Sequence, residues 1–220
     1  MKKRFMALLL ALMLVLSLAA CGQSTAASTT ETEEKNEVPK AVTELSREDE
    51  ILLNGELKKG EYTNRYFGLK VTMPKGGTLT RLNDDATEST EALSLAKAYE
   101  NGEGGLIFWG EIDGVNGYFN MSIQALDENK VGLSEEELVN AHIEEMWEIN
   151  KAFGDDEKPD LITVTVAGEE HPASLSVTQT NSGEQRYINV FFPKGDFVCS
   201  VSFSVTGEGE EPLLACFDRI

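Results

Sequence analysis

The sequence predicts an α+β domain, an antiparallel β-sheet flanked by helices, preceded by a signal peptide and a flexible tether. Three observations carry this. Between residues 162 and 206, four strand-like runs follow one another through turns at Gly168 to Pro172, Asn181-Ser182-Gly183 and Pro193-Lys194-Gly195. Links this short pair neighbouring strands antiparallel. Residues 134–153 open on the capping box Ser134-Glu135-Glu136-Glu137 and keep an apolar stripe at helical spacing. Gly22 to Glu37 hold no aromatic or large apolar side chain, so that stretch cannot bury enough surface to offset the entropy of ordering.

The chain starts with Lys2, Lys3 and Arg4, an apolar run from Phe5 to Leu18 broken only by Ser17, and the small residues Ala19 and Ala20. This is the order of a secretory signal, and the run is shorter than the roughly 20 residues a membrane span needs. Residues 1–20 are therefore read as the signal and residues 21–55 as the tether. The tether includes a short helix at Ser46 to Leu53, SREDEILL, capped by Ser46 and ended by Asn54-Gly55. Coil scaling gives the stretch from Gly22 to Leu45 a reach on the order of 25 Å.

The folded domain is expected over residues 56–220, a normal size for one core. From Tyr66, the residues Phe67, Leu69, Val71 and Met73 alternate with polar or small ones up to Pro74, and Lys75-Gly76-Gly77 turns the chain. Asp85 to Tyr99 reads as a helix with an Asp85-x-x-Glu88 cap and Ala92, Leu95 and Tyr99 on one side. Leu106 to Glu111 and Tyr118 to Leu126 form a hairpin, with Phe119, Met121, Ile123 and Ala125 inward. The strongest helix follows, striped by Leu138, Val139, His142, Ile143, Met146, Ile149 and Phe153 and closed by Gly154. In the last strand Phe197, Cys199, Val201, Phe203 and Val205 alternate with Val198, Ser200, Ser202 and Ser204, so one face is core and the other small and polar. Glu208 to Ile220 fits a terminal helix burying Leu213, Leu214 and Phe217.

Two resemblances add to this reading. Leu18-Ala19-Ala20-Cys21, followed by Gly22, resembles the lipobox of bacterial lipoproteins. That resemblance implies cleavage before Cys21, a diacylglycerol on its thiol, and a lipid-anchored location on the outer face of the bacterial cell membrane. Glu61 to Gly76, EYTNRYFGLKVTMPKG, resembles the opening strand of PsbP-like domains, a pattern of Tyr-x-Asn-x-x-Phe-Gly-Leu and then Pro-x-Gly. Ala167-Gly168, Gly195-Asp196-Phe197 and the final Phe217 extend the likeness over most of residues 56–220. It implies an α/β/α sandwich and no shared catalytic residues; the family spans photosystem II accessory proteins, binding proteins and lipoproteins of undefined role. Gly77 stands where members often carry Trp, which puts packing at that corner in question.

Charge narrows the partners. The chain holds 19 Lys+Arg against 38 Asp+Glu; removing Lys2, Lys3 and Arg4 with the signal leaves 16 against 38, a net of −22. Such a chain repels nucleic acid, and no nucleic-acid partner is expected. One segment runs the other way. Lys58, Lys59, Arg65, Lys70, Lys75 and Arg81 share residues 58–81 with the single acid Glu61, and this segment either faces an anionic membrane or an acidic partner or is an ordinary solvated strand.

No nucleophile elbow or zinc spacing is present. His142 lies on an apolar stripe and His171 before Pro172, both read as structural. The acidic runs Asp84-Asp85, Asp155-Asp156-Glu157 and Glu208-Gly209-Glu210-Glu211 lack an EF-hand pattern. No cofactor is assigned. Besides Cys21 the cysteines are Cys199 and Cys216, both read as core residues; outside the cytoplasm they are also permitted to form a disulfide. Tyr62, Tyr66, Trp109 and Tyr118 are the aromatics to place, each as packing or as a contact surface. Three classes remain: a non-catalytic binding or accessory module with a protein or small-molecule partner, an extracytoplasmic metal-assisted hydrolase, and a small-solute receptor. A deep pocket with converging carboxylates would favour either of the last two.

Overall fold

The computed structural model describes residues 38–81, 94–154, 157–181, 183–207 and 209–220, all within one folded unit, Glu37–Ile220. The period-2 runs form a seven-stranded antiparallel sheet: β4 (Gly77–Arg81), β5 (Leu106–Ile112), β6 (Gly117–Ala125), β7 (Asp160–Val166), β8 (Glu169–Thr180), β9 (Gly183–Lys194) and β10 (Phe197–Thr206), in the spatial order β4-β5-β6-β10-β9-β8-β7. The predicted hairpin and the four close-set strands are all present. The long apolar strand β10 lies at the centre, where both edges are paired and its alternation gives each side chain a fixed face. In register, Phe203 stands between Phe119 and Ile188, and Val201 between Met121 and Val190. All of these are fully buried, each worth roughly 1.5–3 kcal/mol of transfer free energy.

A second, four-stranded antiparallel sheet covers that inner face: β1 (Glu56–Lys58), β2 (Glu61–Asn64), β3 (Leu69–Thr72) and β11 (Phe217–Arg219), in the order β1-β2-β3-β11. Its rings interleave with those of the large sheet. Tyr62 meets Phe108 at 4.5 Å between centroids, and Phe217 meets Phe119 at 5.0 Å and Phe203 at 5.6 Å. Buried Asn64 holds the sheet's corner, donating to the Leu53 carbonyl and the Tyr62 hydroxyl at 2.8 Å each while its oxygen accepts from the Phe67 amide at 3.0 Å. Burial pushes the Tyr62 hydroxyl well above the ordinary tyrosine range.

Three short helices complete this layer: α1 (Lys40–Thr43), α2 (Arg47–Asn54) and α3 (Leu95–Glu100). Helix α2 is the predicted Ser46-capped segment, the Ser46 side chain accepting from the Asp49 amide at 3.1 Å. It is not part of a tether. Leu53 is fully buried and Val42 4% exposed, both in the main core, so the folded unit starts about 19 residues before the expected Glu56. The two buried residues are spaced too far apart in a polar stretch for periodicity to reveal them. In α3 the cap is Ser94, accepting from Lys97 N at 3.2 Å; the expected Asp85-x-x-Glu88 cap and Ala92 lie outside the described residues.

The long helix α4 (Glu135–Ala152) packs on the opposite face of the large sheet, with both halves of its capping box made. His142 meets Phe191 at 5.2 Å, and Phe191 points away from the core-facing Phe192 beside it. Leu138, Val139 and Ile143 are buried as expected, but Phe153 is 80% exposed, because it caps the helix C-terminus beyond the sheet.

Two further expectations change. The chain turns at Lys75-Gly76 but Gly77 already begins β4; a Cβ at Gly77 would stand 3.1 Å from the Pro74 oxygen and the Met73 methyl, which accounts for a glycine at a corner where a large residue was expected. The C-terminus is a four-residue helix α5 (Glu211–Leu214) followed by β11 rather than one helix. Phe217 to Arg219 pair with β3, a long-range partner that local pattern cannot supply.

Candidate binding face

The strands present their alternate residues on two faces, and α4 covers only part of the outer one. Over β4, β5, β6, β10 and the adjoining part of β9 that face is paved with small polar and aromatic side chains, and the polar ones are wired together. Ser122 and Ser200 hydroxyls are 2.7 Å apart; Ser202 donates to Asn189 Oδ1 at 2.6 Å, whose amide donates to Ser174 at 3.2 Å. Gln185 donates to Ser204 at 2.8 Å and accepts from Thr206 at 2.7 Å. This ladder fixes rotamers across four strands and makes the face rigid.

On that base sit the rings. Trp109 and Tyr118 stack at 4.0 Å between centroids and 20° between planes. Tyr187, 37% exposed, lies across β10 from Tyr118, the two flanking Ser204 in register. Burial raises the Tyr187 hydroxyl pKa, and the nearby Tyr118 raises it further. Beside them Asn120, 7% exposed, is in register with Trp109 on one side and Ser202 on the other. Among the described residues, the Trp109 indole N–H, the Tyr118 and Tyr187 hydroxyls and the Asn120 carboxamide make no hydrogen bond within the protein. Glu111 is the one charged residue among the outward positions of β4, β5, β6, β9 and β10, in a chain that is 26% charged. Sequence reading finds Trp109, Tyr118 and the serines of β10, but Asn120 and Tyr187 emerge only from strand register. Tyr62, by contrast, is core, and half-buried Tyr66 packs on Phe67 and Phe197 and donates to the Lys194 carbonyl at 3.0 Å.

The six basic residues do not form one surface. Arg81 is 4% exposed, its guanidinium 5.0 Å from the Phe108 centroid and donating to the Asn54 carbonyl at 3.0 Å; it faces the core because β4 alternates and Arg81 pairs with buried Phe108. Lys70 is ion-paired with Glu61 at 2.9 Å, and Lys58 with Glu56. Lys58, Lys59 and Lys75 lie at one end of the small sheet, where Met73 N reaches the Gly60 carbonyl, and Arg65 lies in the turn at the other end.

The remaining titratable groups have structural work. His171 is 3% exposed, with Nδ1 2.8 Å from Glu135 in the first turn of α4, and so ties that helix to β8; its buried Nε2 is 3.9 Å from Glu169. Glu169 receives Arg219 at 2.9 and 2.5 Å, which joins β8 to β11 and holds the carboxyl pKa down. Glu210 of the acidic C-terminal run pairs with Arg186 at 2.9 Å. Asp84, Asp85, Asp155, Asp156 and Glu208 lie outside the described residues, and among the described ones no three His, Cys, Asp or Glu side chains gather as a metal would require. Cys199 and Cys216 are free thiols, each at most 2% exposed; the disulfide permitted by compartment is not formed. Burial pushes Cys199 up to about 12 and Cys216 up to about 11. Depressions among the described residues include one of about 340 Å³ by Val115, Asn116 and Thr206 and one of about 250 Å³ by Asn150, Glu157 and Ser176. No helix among the described residues is long and apolar enough to cross a membrane.

No family model and no curated protein matches the sequence. Similar solved structures include a protein from Bacteroides thetaiotaomicron VPI-5482, at 13% identity and a TM-score of 0.35, covering 70% of this chain and 45% of that one. They also include the cyanobacterial PsbP (CyanoP) from Synechocystis sp. PCC 6803, at 9% identity and a TM-score of 0.43, covering 76% of this chain and 96% of that one. The chain thus spans less than half the length of the first, and neither likeness bears on activity. The fold itself is α+β: an antiparallel seven-stranded sheet with a smaller sheet and helices on one face and a long helix on the other.

Proposed function

We propose that this chain is a membrane-anchored extracytoplasmic lipoprotein whose α+β domain is a non-catalytic binding or accessory module. The observation that carries the binding role is the outer sheet face beyond α4, where a rigid hydrogen-bonded floor supports the stacked Trp109–Tyr118 rings and polar groups that make no hydrogen bond among the described residues. The anchoring role is supported by the sequence from Lys2 to Cys21, whose order of charged, apolar and small residues before a cysteine resembles a lipobox. The resemblance to PsbP-like domains at Glu61 to Gly76 brings no shared catalytic residues with it, which supports an accessory role. Lys58, Lys59 and Lys75, at one end of the small sheet, would add attraction to an anionic membrane.

Metabolic labelling tests the anchor. Wild type should incorporate radiolabelled palmitate and sediment with membranes, and Cys21→Ala should do neither. A Cys21→Ala protein still bound to membranes, with no label entering wild type, would end the lipoprotein reading.

A further inference from the structure

We propose that the open outer face binds a neutral oligosaccharide; this rests on the reading of that face as the binding surface. Chemistry selects the ligand. A sugar ring offers a flat C–H face to an aromatic plane and a rim of hydroxyls that both donate and accept. The face offers the matching set: the stacked Trp109–Tyr118 pair as a platform, and Trp109 N–H, Asn120 carboxamide and the Tyr118 and Tyr187 hydroxyls as uncommitted partners. Asn120 is 7% exposed as a whole residue, yet its carboxamide is not among the described side-chain groups sealed from solvent, so it is placed to meet a ligand's hydroxyls between Trp109 and Ser202.

Spacing agrees. From Trp109 on β5 to Tyr187 on β9 there are three strand intervals, about 14 Å, enough for more than one linked ring. Charge agrees as well. An anionic polymer would meet a chain of net charge −19, and a cationic one would want carboxylates, of which this face has only Glu111. A neutral ligand needs no counter-charge. A protein partner fits less well, because tight protein contacts centre on desolvated anchors in pockets, and this face is flat, polar and hydrogen-bonded.

The test uses the full chain in detergent, carrying Trp147→Phe so that Trp109 is the sole indole, since the sequence has two tryptophans. Maltohexaose, cellohexaose and chitotetraose are titrated in turn while Trp109 emission is followed. At least one should give a saturable change, and Asn120→Ala and Tyr187→Ala should each weaken it tenfold or more. Glu148→Ala, on the exposed side of α4, should leave it unchanged. Tyr187 is exposed enough that its removal tests the site even if Asn120→Ala fails to fold. Flat titrations with all three sugars, or binding indifferent to Tyr187→Ala, would overturn the inference. A photo-crosslinking residue at position 187 separates the two levels: crosslinking to one envelope protein with flat sugar titrations refutes the glycan ligand and leaves the binding face, whereas no crosslink and no titration removes both.

Discussion

Replacing His142 by Leu should remove a specific piece of the protein's pH dependence. His142 lies on the sheet-facing side of α4, its ring 5.2 Å from that of Phe191. Burial holds its pKa down to about 4 against an ordinary 6.5, with Glu145 opposing the shift and Lys130 reinforcing it. The sign follows from linkage. Above pH 6.5 the ring is neutral in both folded and unfolded chains and there is no penalty. Between 6.5 and about 4 the unfolded chain takes a proton that the folded one refuses, so stability falls as pH falls; below 4 the loss is complete. At about 1.4 kcal/mol per pH unit, the ceiling is roughly 3 kcal/mol. Urea unfolding at pH 7, 6, 5 and 4 measures it. The stability of wild type minus that of His142→Leu should shrink steadily over this range, by on the order of 2 to 3 kcal/mol. Two curves parallel within about 0.5 kcal/mol would show that His142 is solvated in the folded state and that α4 does not seat on Phe191.

Two further outcomes test the fold. Leu53→Ala should cost about 2–5 kcal/mol in denaturant unfolding, because Leu53 is the fully buried residue of α2 and packs in the main core; a loss under about 0.5 kcal/mol would return residues 38–55 to the tether. Cys199 and Cys216 should resist a thiol reagent in the folded protein and both react promptly in denaturant without reductant, since burial raises both pKa values and neither is bonded; failure to react when unfolded would demonstrate a disulfide.

Caps and the alternation of the long strands are legible locally, whereas the apolar stripe of α4 reads on to Phe153, which is exposed. The capping box at Ser134, the Ser46 cap and the period-2 alternation of β6 and β10 are short-range signals, and each appears in place. The other failures share a cause. The strand β11 and the core role of Val42 and Leu53 depend on partners far away in sequence, so a short strand such as Phe217–Arg219 looks like the end of a helix until β3 is beside it. Arg81 illustrates the same point for charge: a basic residue in a basic segment reads as surface, yet its alternation with Thr80 in β4 turns it to Phe108 and the Asn54 carbonyl.

By itself the amino-acid sequence determined the fold class and the serine-lined second face of β10, because these follow from local periodicity and turn chemistry. Tertiary structure decided where the folded unit begins, that Cys199 and Cys216 stay apart as thiols, and which residues share the open face. Trp109, Tyr118, Asn120 and Tyr187 come from three strands, up to 78 positions apart, and only antiparallel register brings them together on one face.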